Sequence, residues 1–389
     1  MSFSGRTPAE LSLNPLAAAL AARRASGAPI VDLTVSNPTA VGLDYPHDAI
    51  AAALAAGARQ PYEPDARGSA AARREVCGYC RARGAAVAPD RVAITASTSE
   101  SYGLLFKLLC DPGDEILVPR PSYPLFDHLA AAEAVTAREY RLAAGGGFAV
   151  DPDRIAAAAG PRTRAVIVVS PNNPTGTALN ADQQGELARL AAARGWAIIE
   201  DAVFADYLLP GAARPATFAG NSDGPLAFTL GGLSKAAGMP QLKLGWMVAS
   251  GAAPLVSAAL ARLEILADAY LSVATPVMAA LGALLAAGSA VRQQLAARVA
   301  AAREQIDRAV APVRGARLLP ADGGWSAVVE LPDGVDEEAL SLRLLERDGV
   351  HLYPGYFFDF DRGAHVVLSA IVPPATLAAG LAAMVDEIS

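Results

Sequence analysis

The chain has 389 residues, of which 53% are hydrophobic and 18% are charged, and its formal net charge is −7. This length predicts more than one hydrophobic core, because single domains commonly span about 150 residues. The acidic balance indicates no nucleic-acid binding, and no apolar run reaches the roughly 18 residues of a membrane span. The first residues lack a basic segment followed by an apolar one, so we expect a cytoplasmic protein with small-molecule partners and no membrane binding.

Strands and helices are predicted to alternate along most of the chain. Asn14 caps a helix that ends at Gly27, and a strand at 30–35 leads into the loop that carries Asn37. From about residue 47, helical segments separate apolar strand segments, which we expect at 91–95, 115–118, 136–140, 165–169, 196–200, 226–230 and 244–249. Continuous apolar strands between helices indicate an α/β fold with a mainly parallel sheet.

The last part of the chain predicts a smaller α/β unit. A long alanine-rich helix runs from about 276 to 310. Short strands are expected near 317, 327, 350 and 365, and helices at 336–347 and from 375. This alternation has a shorter period than the preceding part, which suits a separate domain.

Two motifs are interpreted as structural. Cys77 and Cys80 match C-x-x-C, but they lie in a helical segment with no second cysteine or histidine pair. We therefore expect reduced thiols and no metal site. The glycines at 145–147 have no phosphate-binding pattern after them and predict a hairpin or loop.

Lys235 lies among small and apolar residues, directly after the strand expected at 226–230. Poor solvation of its ammonium would lower the lysine pKa and make the amine a nucleophile. Flanking glycines let the backbone approach a flat ligand, and Lys243 adds a positive charge for an anionic group. A loop with one solvated lysine has the same short pattern, so this motif alone leaves both interpretations open.

Further polar motifs follow other strands of the predicted sheet, where ligands gather in α/β proteins. Residues 170–176 read Ser-Pro-Asn-Asn-Pro-Thr-Gly, which predicts a rigid turn presenting the Asn173 amide. Asp201 ends an apolar strand, and a buried carboxylate there needs a partner such as a protonated pyridine nitrogen. Thr98 and Ser99 open a helix after a strand, where free N–H groups suit a phosphate.

These motifs resemble, in order and spacing from about Ile30 to Pro373, the class I and II aminotransferases, which are pyridoxal-phosphate enzymes of fold type I. The resemblance implies a mainly parallel seven-stranded sheet between helices in a large domain, and a smaller α/β domain. We expect residues 1–44 to belong to the small domain, 45–280 to form the large cofactor-binding domain and 281–389 to form the small C-terminal domain. The implied activity moves an amino group between an amino acid and a 2-oxo acid, with a lyase or cyclase on the same fold as the alternative.

The family pattern implies roles for residues around the cofactor ring. Lys235 would form the Schiff base with pyridoxal 5′-phosphate and shuttle a proton, and Asp201 would keep the ring nitrogen protonated. Asn173 would donate to the 3-oxygen of the ring, and Tyr123 would stack on the ring face. Trp325 matches a region that lines the substrate side, although core packing explains this tryptophan almost as well.

The pattern also implies a phosphate pocket and a partner subunit. Thr98 and Ser99 match the phosphate-binding turn, to which Ser234 adds a hydroxyl. Lys243 replaces the arginine that is usual there, so the pocket has the point charge of an ammonium where the family has a planar guanidinium. Tyr62 resembles the tyrosine that reaches the phosphate of the neighbouring subunit, which implies a homodimer with shared active sites. In isolation, Tyr62, Tyr123 and Asp201 would each more often be structural.

Three positions depart from the family pattern. Phe204 stands where a tyrosine holds the 3-oxygen, and Gly232 stands where a serine or threonine contacts the phosphate. Val367 occupies the place of the arginine that binds the substrate α-carboxylate. We expect Asn37 and backbone N–H groups of its loop to bind that carboxylate, with Arg362 as the alternative, since an unpaired buried carboxylate costs several kcal/mol.

Overall fold

A computed structural model describes residues 3–144, 147–271 and 273–389. Gly145 and Gly146, where a hairpin or loop is predicted, lie outside the described residues. The helices are α1 Pro15–Ser26, α2 His47–Gly57, α3 Ala70–Ala82, α4 Thr98–Leu109, α5 Leu125–Ala132, α6 Pro152–Ala158, α7 Ala181–Arg194, α8 Leu233–Ala236, α9 Ala253–Asp268, α10 Thr275–Val310, α11 Glu337–Arg343 and α12 Pro374–Ile388.

The strands alternate with these helices through most of the chain. They are β1 Val31–Asp32, β2 Val92–Thr95, β3 Glu115–Arg120, β4 Thr136–Arg141, β5 Thr163–Val169, β6 Ala197–Asp201, β7 Ala227–Gly232, β8 Gly245–Ser250, β9 Arg317–Leu318, β10 Ser326–Glu330, β11 Val350–His351, β12 Tyr353–Pro354 and β13 His365–Ser369.

The large sheet contains the seven strands predicted between residues 91 and 249. Its strand order is β2-β8-β7-β6-β5-β3-β4, and β8 runs antiparallel to both of its neighbours. The other neighbouring pairs are parallel. The prediction of a mainly parallel sheet in an α/β fold is therefore confirmed.

Local sequence explains where several helices begin and end. The Asn14 side chain accepts a hydrogen bond from the Ala17 N–H at 2.8 Å and caps α1. Gly27 ends the same helix with φ +72°, a left-handed conformation that glycine adopts without steric cost. At the start of α7, Asn180 and Gln183 form a reciprocal capping box that satisfies otherwise unpaired N–H groups.

A smaller antiparallel sheet forms a second layer near the C-terminus. Its strand order is β12-β13-β10-β9, and β1 from the N-terminal segment pairs in parallel with β11. The predicted boundary at residue 280 falls inside α10, and the division into the three ranges stays a prediction.

Helix α10 connects the two layers. By length and composition it could cross a membrane, but its first half places Leu281 and Leu284 in one hydrophobic core and its second half places Leu295 and Ile306 in another. A helix with buried stripes on both halves is a core helix of the folded protein. Midway along it, a Cβ on Gly288 would lie 2.5 Å from the Ala237 Cβ, so the helix touches the segment that follows Lys235.

Candidate active site

A cavity of about 730 Å³ lies at the carboxyl ends of β5, β6 and β7, between the large and the small sheet. Side chains that the sequence predicts for the site line it together: Thr98, Ser99, Tyr123, Asn173, Asp201, Ser234, Lys235, Lys243 and Trp325. Two predicted residues, Asn37 and Tyr62, are not part of its lining. The sheet thus brings together motifs that are separated by more than two hundred residues in the chain.

Lys235 follows β7 on the short helix α8 and directs its amine into the cavity. The Nζ atom lies 5.1 Å from the ring centroid of Trp325 and 5.7 Å from that of Phe204. Burial lowers the pKa of Lys235, and the charge of Asp201 opposes that shift. Desolvation therefore favours the neutral amine, which is the nucleophilic and basic form.

Asp201 is the last residue of β6, and its carboxylate is held by two donors. The Val203 N–H donates to Oδ1 at 3.1 Å, and the Tyr102 hydroxyl donates to Oδ2 at 2.9 Å. Burial raises the pKa of Asp201, whereas both hydrogen bonds and the charge of Lys235 lower it. A carboxylate in such surroundings is best stabilised by a cation, and a protonated ring nitrogen meets that need.

The start of α4 presents backbone N–H groups at the same cavity. Ser97 caps the helix by accepting from the Glu100 N–H at 3.1 Å, and the first N–H groups of a helix have no intrahelical acceptor. A Cβ on Gly245 would lie 2.9 Å from the Ser97 carbonyl carbon, so this glycine lets β8 approach the turn closely. Ser234 and Lys243 line the cavity beside the turn.

One wall of the cavity is largely aromatic and apolar. It is formed by Phe204, Trp325, Tyr353, Phe357, Phe358 and Val367. Tyr123 is 45% exposed. The Asn173 Oδ1 atom accepts from the Ser326 hydroxyl at 3.1 Å, which leaves the amide N–H groups of Asn173 for a ligand. Val367 pairs with Val328 across the small sheet and contributes no hydrogen-bond donor from its side chain.

The structure does not place Asn37 in the cavity. Its Oδ1 accepts from the Thr39 N–H at 3.1 Å and from the Thr39 hydroxyl at 2.8 Å, and the side chain is exposed. Thr34 and Ser36, from the same loop, line the cavity instead. The Asn37 side chain caps its own loop in this way, and its contact with a substrate carboxylate stays a prediction. Arg362 is also exposed and outside the lining.

Tyr62 is 61% exposed and lies outside the lining of this subunit's cavity. Its predicted contact with a neighbouring subunit concerns a second chain and stays a prediction.

Two tyrosines that support the site were not predicted from the sequence. Tyr102 donates to Asp201 from helix α4, and Tyr207 donates to the Lys235 carbonyl at 2.6 Å. Tyr102 is separated from its partner by 99 residues and Tyr207 by 28. Contacts of this kind leave no local pattern, and the one available signal is that each tyrosine follows a motif residue closely in the chain.

Pyridoxal 5′-phosphate fits these residues by its functional groups. The free N–H groups of α4 and the charge of Lys243 suit its phosphate, and the amine of Lys235 suits its aldehyde. The buried Asp201 suits its ring nitrogen. The absence of a side chain at Gly245 lets β8 pack closely against the turn that presents these N–H groups.

Comparison with known proteins agrees with this chemistry. Residues 28–383 match the family model described as aminotransferase class I and II. The arginine–pyruvate transaminase AruH of Pseudomonas aeruginosa is 30% identical over 361 residues, which is 90% of this chain and 88% of that protein. The glutamate–pyruvate aminotransferase AlaA of Escherichia coli is 28% identical over 251 residues, covering 64% of this chain and 62% of that protein.

Solved structures show the same fold. An aminotransferase from Escherichia coli aligns with a TM-score of 0.86 at 23% identity and covers 98% of both chains. A single mutant of the Thermus thermophilus aspartate aminotransferase has a TM-score of 0.86 at 23% identity and covers 100% of both chains. The predicted fold type I, with a large sheet and a smaller domain, is confirmed. This chain belongs to the class I and II aminotransferases, enzymes that transfer amino groups with pyridoxal 5′-phosphate.

Proposed function

We propose that this aminotransferase moves an amino group from an amino acid with an apolar side chain to pyruvate. The observation that supports this proposal is the Lys235 amine and the Asp201 carboxylate in one cavity with an apolar wall. AruH and AlaA both carry pyruvate in their names. We also propose the cytoplasm as the location.

The residues around the ring position have separate tasks. Bound pyridoxal 5′-phosphate supplies an electron-poor ring that stabilises negative charge at the reacting substrate carbon. Asp201 would keep a proton on the ring nitrogen, and Lys235 in its neutral form would hold the aldehyde group and move a proton at Nζ. Asn173 would donate to the ring oxygen, and Tyr123 would cover one ring face. Phe204 offers no hydroxyl to that oxygen.

The phosphate is assigned to residues on both sides of the α4 turn. Thr98 and Ser99 supply N–H groups and hydroxyls, and Ser234 supplies a further hydroxyl. Lys243 neutralises part of the charge as a point charge, without the two parallel hydrogen bonds that a guanidinium forms. Gly232 adds no side chain, so the pocket depends on the helix N–H groups.

We infer the type of amino donor from the charged residues that line the cavity. Its charged lining residues, among those described, are Asp201, Lys235 and Lys243, and all are assigned to the cofactor. Among the described lining residues of this chain, no further carboxylate remains for a guanidinium and no further cation for an acidic side chain. We therefore favour an apolar donor over arginine or glutamate.

One half-reaction tests the proposed activity. Mixing the cofactor-loaded enzyme with one equivalent of L-leucine should convert the absorbance of lysine-bound cofactor to that of its amine form, and pyruvate should restore the first spectrum. A lyase or cyclase, which the comparisons do not favour, would leave the initial spectrum after turnover. An amine form that appears with arginine or glutamate but not with leucine would contradict the donor assignment.

Ser36 is our candidate for binding the substrate carboxylate. Its side chain lines the cavity, and its hydroxyl has no described partner, whereas the Thr34 hydroxyl donates to Asp32 at 2.5 Å. The N–H groups of Ser36 and Asn37 also donate to no acceptor among the described residues. These three donors can replace part of the charge that Val367 does not supply.

We predict that Ser36→Ala raises the KM for the amino donor about tenfold, because a hydrogen bond to a charged group is worth about 1.5–3 kcal/mol. Steady-state kinetics with the amino donor measures the effect, and kcat should change less than KM. Asn37→Ala, from the same loop but outside the cavity, is the matched control and should leave KM close to that of the wild type. A larger increase of KM in Asn37→Ala than in Ser36→Ala would indicate that Asn37 binds the substrate carboxylate.

Tyr102→Phe tests how Asp201 is kept ionised. Removing the hydroxyl takes one donor from the carboxylate, so its pKa should rise further. Activity should then be lost at a higher pH on the acid side of the kcat profile, and kcat/KM should fall about 10- to 100-fold. Tyr140→Phe is the control, because it removes a buried hydroxyl that donates to the Ile167 carbonyl, and neither residue lines the active-site cavity. Equal shifts of the acid side of the kcat profile in both variants would mean that reduced stability, and not the pKa of Asp201, causes the effect.

A homodimer with shared active sites is proposed on a surface that contains Tyr62. Tyr62, Ile265, Tyr270 and Leu271 are exposed apolar side chains. Arg67, near Tyr62, pairs with Glu264 at 3.2 Å, which brings the two segments together. Neighbouring exposed apolar groups are typical of an interaction surface.

Complementation between two inactive variants tests the shared site. Tyr62→Ala and Lys235→Ala subunits carrying different tags are co-expressed, and the mixed dimer is purified through both tags. One site then carries both changes and the other carries neither, so activity should return to about half of that of the wild type. Each homodimer measured alone is the control. A mixed dimer as inactive as its parents would refute a contribution of Tyr62 to the neighbouring site.

A further inference from the structure

A second cavity of about 370 Å³ lies on the other face of the large sheet. Glu200 lines it, whereas the next residue, Asp201, lines the active-site cavity, as expected from alternating side chains on a strand. Strands β6, β7 and β8 form its floor, and α3 with segment 202–219 covers it. Among the described residues, none lines both cavities.

Glu200 presents a hydrogen-bond acceptor to this second cavity. Its side chain is 1% exposed, and Oε2 accepts from the Thr217 hydroxyl at 2.9 Å, the Phe218 N–H at 2.9 Å and the Thr229 hydroxyl at 2.6 Å. No described residue donates to Oε1. The carboxyl group is thus fixed through one oxygen and keeps the other for an occupant of the cavity.

Trp246 presents a donor on the same floor. Its indole lies against Gly231, where a Cβ would come within 2.5 Å of Nε1, and packs edge-on against the Tyr79 ring at 5.0 Å. No described residue accepts from Nε1. The ring is held in place by its neighbours while its N–H remains available.

The acceptor and the donor lie over the same strand. Glu200 is bonded to Thr229 and the Trp246 indole covers Gly231, and these two β7 residues are two positions apart. Two residues of a strand span about 7 Å. One amide group, with its N–H and its carbonyl oxygen pointing in opposite directions, bridges about 7 to 8 Å when it forms a hydrogen bond at each end.

The rest of the lining contains few charged side chains. Arg83 stacks on the Tyr79 ring at 3.5 Å and pairs with Asp206, and Arg214 is an exposed residue of the lining. With Glu200, the lining holds two cations and two carboxyl groups. Most other lining side chains are apolar, which suits a neutral molecule with an apolar body.

We propose that this cavity is a second binding site, which takes an uncharged, mostly apolar small molecule through its amide group. The amide N–H donates to Glu200 Oε1, and the amide oxygen accepts from Trp246 Nε1. The volume lies within the range of small-molecule pockets, about 300–1,000 Å³.

The wall between the two cavities is the segment 201–208. Val203 and Phe204 face the active-site cavity, and Ala205 and Asp206 face the second cavity. Tyr207, in the same segment, donates to the Lys235 carbonyl. An occupant of the second cavity therefore changes turnover without excluding the amino donor. This effect on turnover depends on the proposed function, whereas binding of the occupant does not.

Calorimetric titration of the cofactor-loaded protein with 3-phenylpropanamide tests the site, because an amide does not react with the cofactor aldehyde. The wild type should bind it, and N,N-dimethyl-3-phenylpropanamide, which lacks the N–H donor, should bind at least about tenfold more weakly. Absence of binding by the wild type, or equal binding of both compounds, overturns the proposal.

Two substitutions locate the bound probe. Ala216→Phe fills the cavity and should weaken binding at least about tenfold, and Ala213→Phe, in the same loop but outside the lining, should bind like the wild type. Circular dichroism and cofactor absorbance check that each variant is folded. Ala82→Phe, at the exposed end of α3, is a second variant that blocks the cavity. Unchanged binding in both blocking variants, or inhibition that is competitive with the amino donor, overturns the proposal.

Discussion

Lys235→Ala should lose turnover by at least about ten-thousandfold, together with the absorbance of lysine-bound cofactor. The reason is geometric, because Lys235 supplies the buried amine that faces Asp201 in the cavity. The cofactor should still bind through the α4 turn, so equilibrium dialysis should recover it noncovalently bound. Single-turnover absorbance with an amino donor measures the loss.

Borohydride reduction of the wild type provides the control for this loss. The chain has three lysines, Lys107, Lys235 and Lys243, so peptide mapping can assign the reduced adduct without ambiguity. Lys107 pairs with Glu133 on the surface, and Lys243 is exposed beside the phosphate turn. An adduct on either of these, or a Lys235→Ala protein with normal activity, would remove the basis of the proposed site.

Asp201→Asn should lower kcat by about a hundredfold or more. The substitution preserves shape but removes a buried charge, and breaking a buried ion pair costs about 3 kcal/mol or more. The neutral amide also meets two donors, the Val203 N–H and the Tyr102 hydroxyl, with one acceptor oxygen. Pre-steady-state absorbance should show that the step at the substrate carbon has slowed.

Glu200→Gln is the matched control for Asp201→Asn. Glu200 precedes Asp201 on the same strand and is 1% exposed, but it faces the second cavity. A neutral amide oxygen accepts more weakly than a carboxylate from the Thr217, Phe218 and Thr229 donors, so Tm should fall, and kcat should stay close to that of the wild type. An equal fall of kcat in both variants would mean that β6 responds to any loss of charge, and Asp201 would lose its assigned role.

The large sheet was predictable because its buried strands appear in the sequence as continuous apolar runs. All seven strands of the large sheet were identified, and each structural segment overlaps the predicted one within a few residues. The reversed direction of β8 was not predicted, since an apolar run carries no sign of its direction. Short strands such as β12 pair through only two residues and leave no period to detect.

The site was predictable where function is concentrated in motifs at strand ends. Lys235, Asp201 and Asn173 follow strands in short, distinctive sequences, and the fold brings them together. The loop after β1 was harder, because Ser36 and Asn37 are adjacent small polar residues and local capping decides which one faces the cavity. The second cavity was not predictable, because an unfilled volume results from packing between distant segments.

Helix α10 joins the segment that follows Lys235 to the core of the small sheet as one continuous element. Its contact at Gly288 rests on Ala237, two residues after Lys235, and Arg292 bonds to the Ala236 carbonyl one turn further along. From Gly288 to the end of the helix, 22 residues extend about 33 Å into the core of the small sheet. Over that length a tilt of about 2° corresponds to a displacement of about 1 Å at the far end, so the position of the small sheet is set by the angle at which the helix crosses the segment after Lys235.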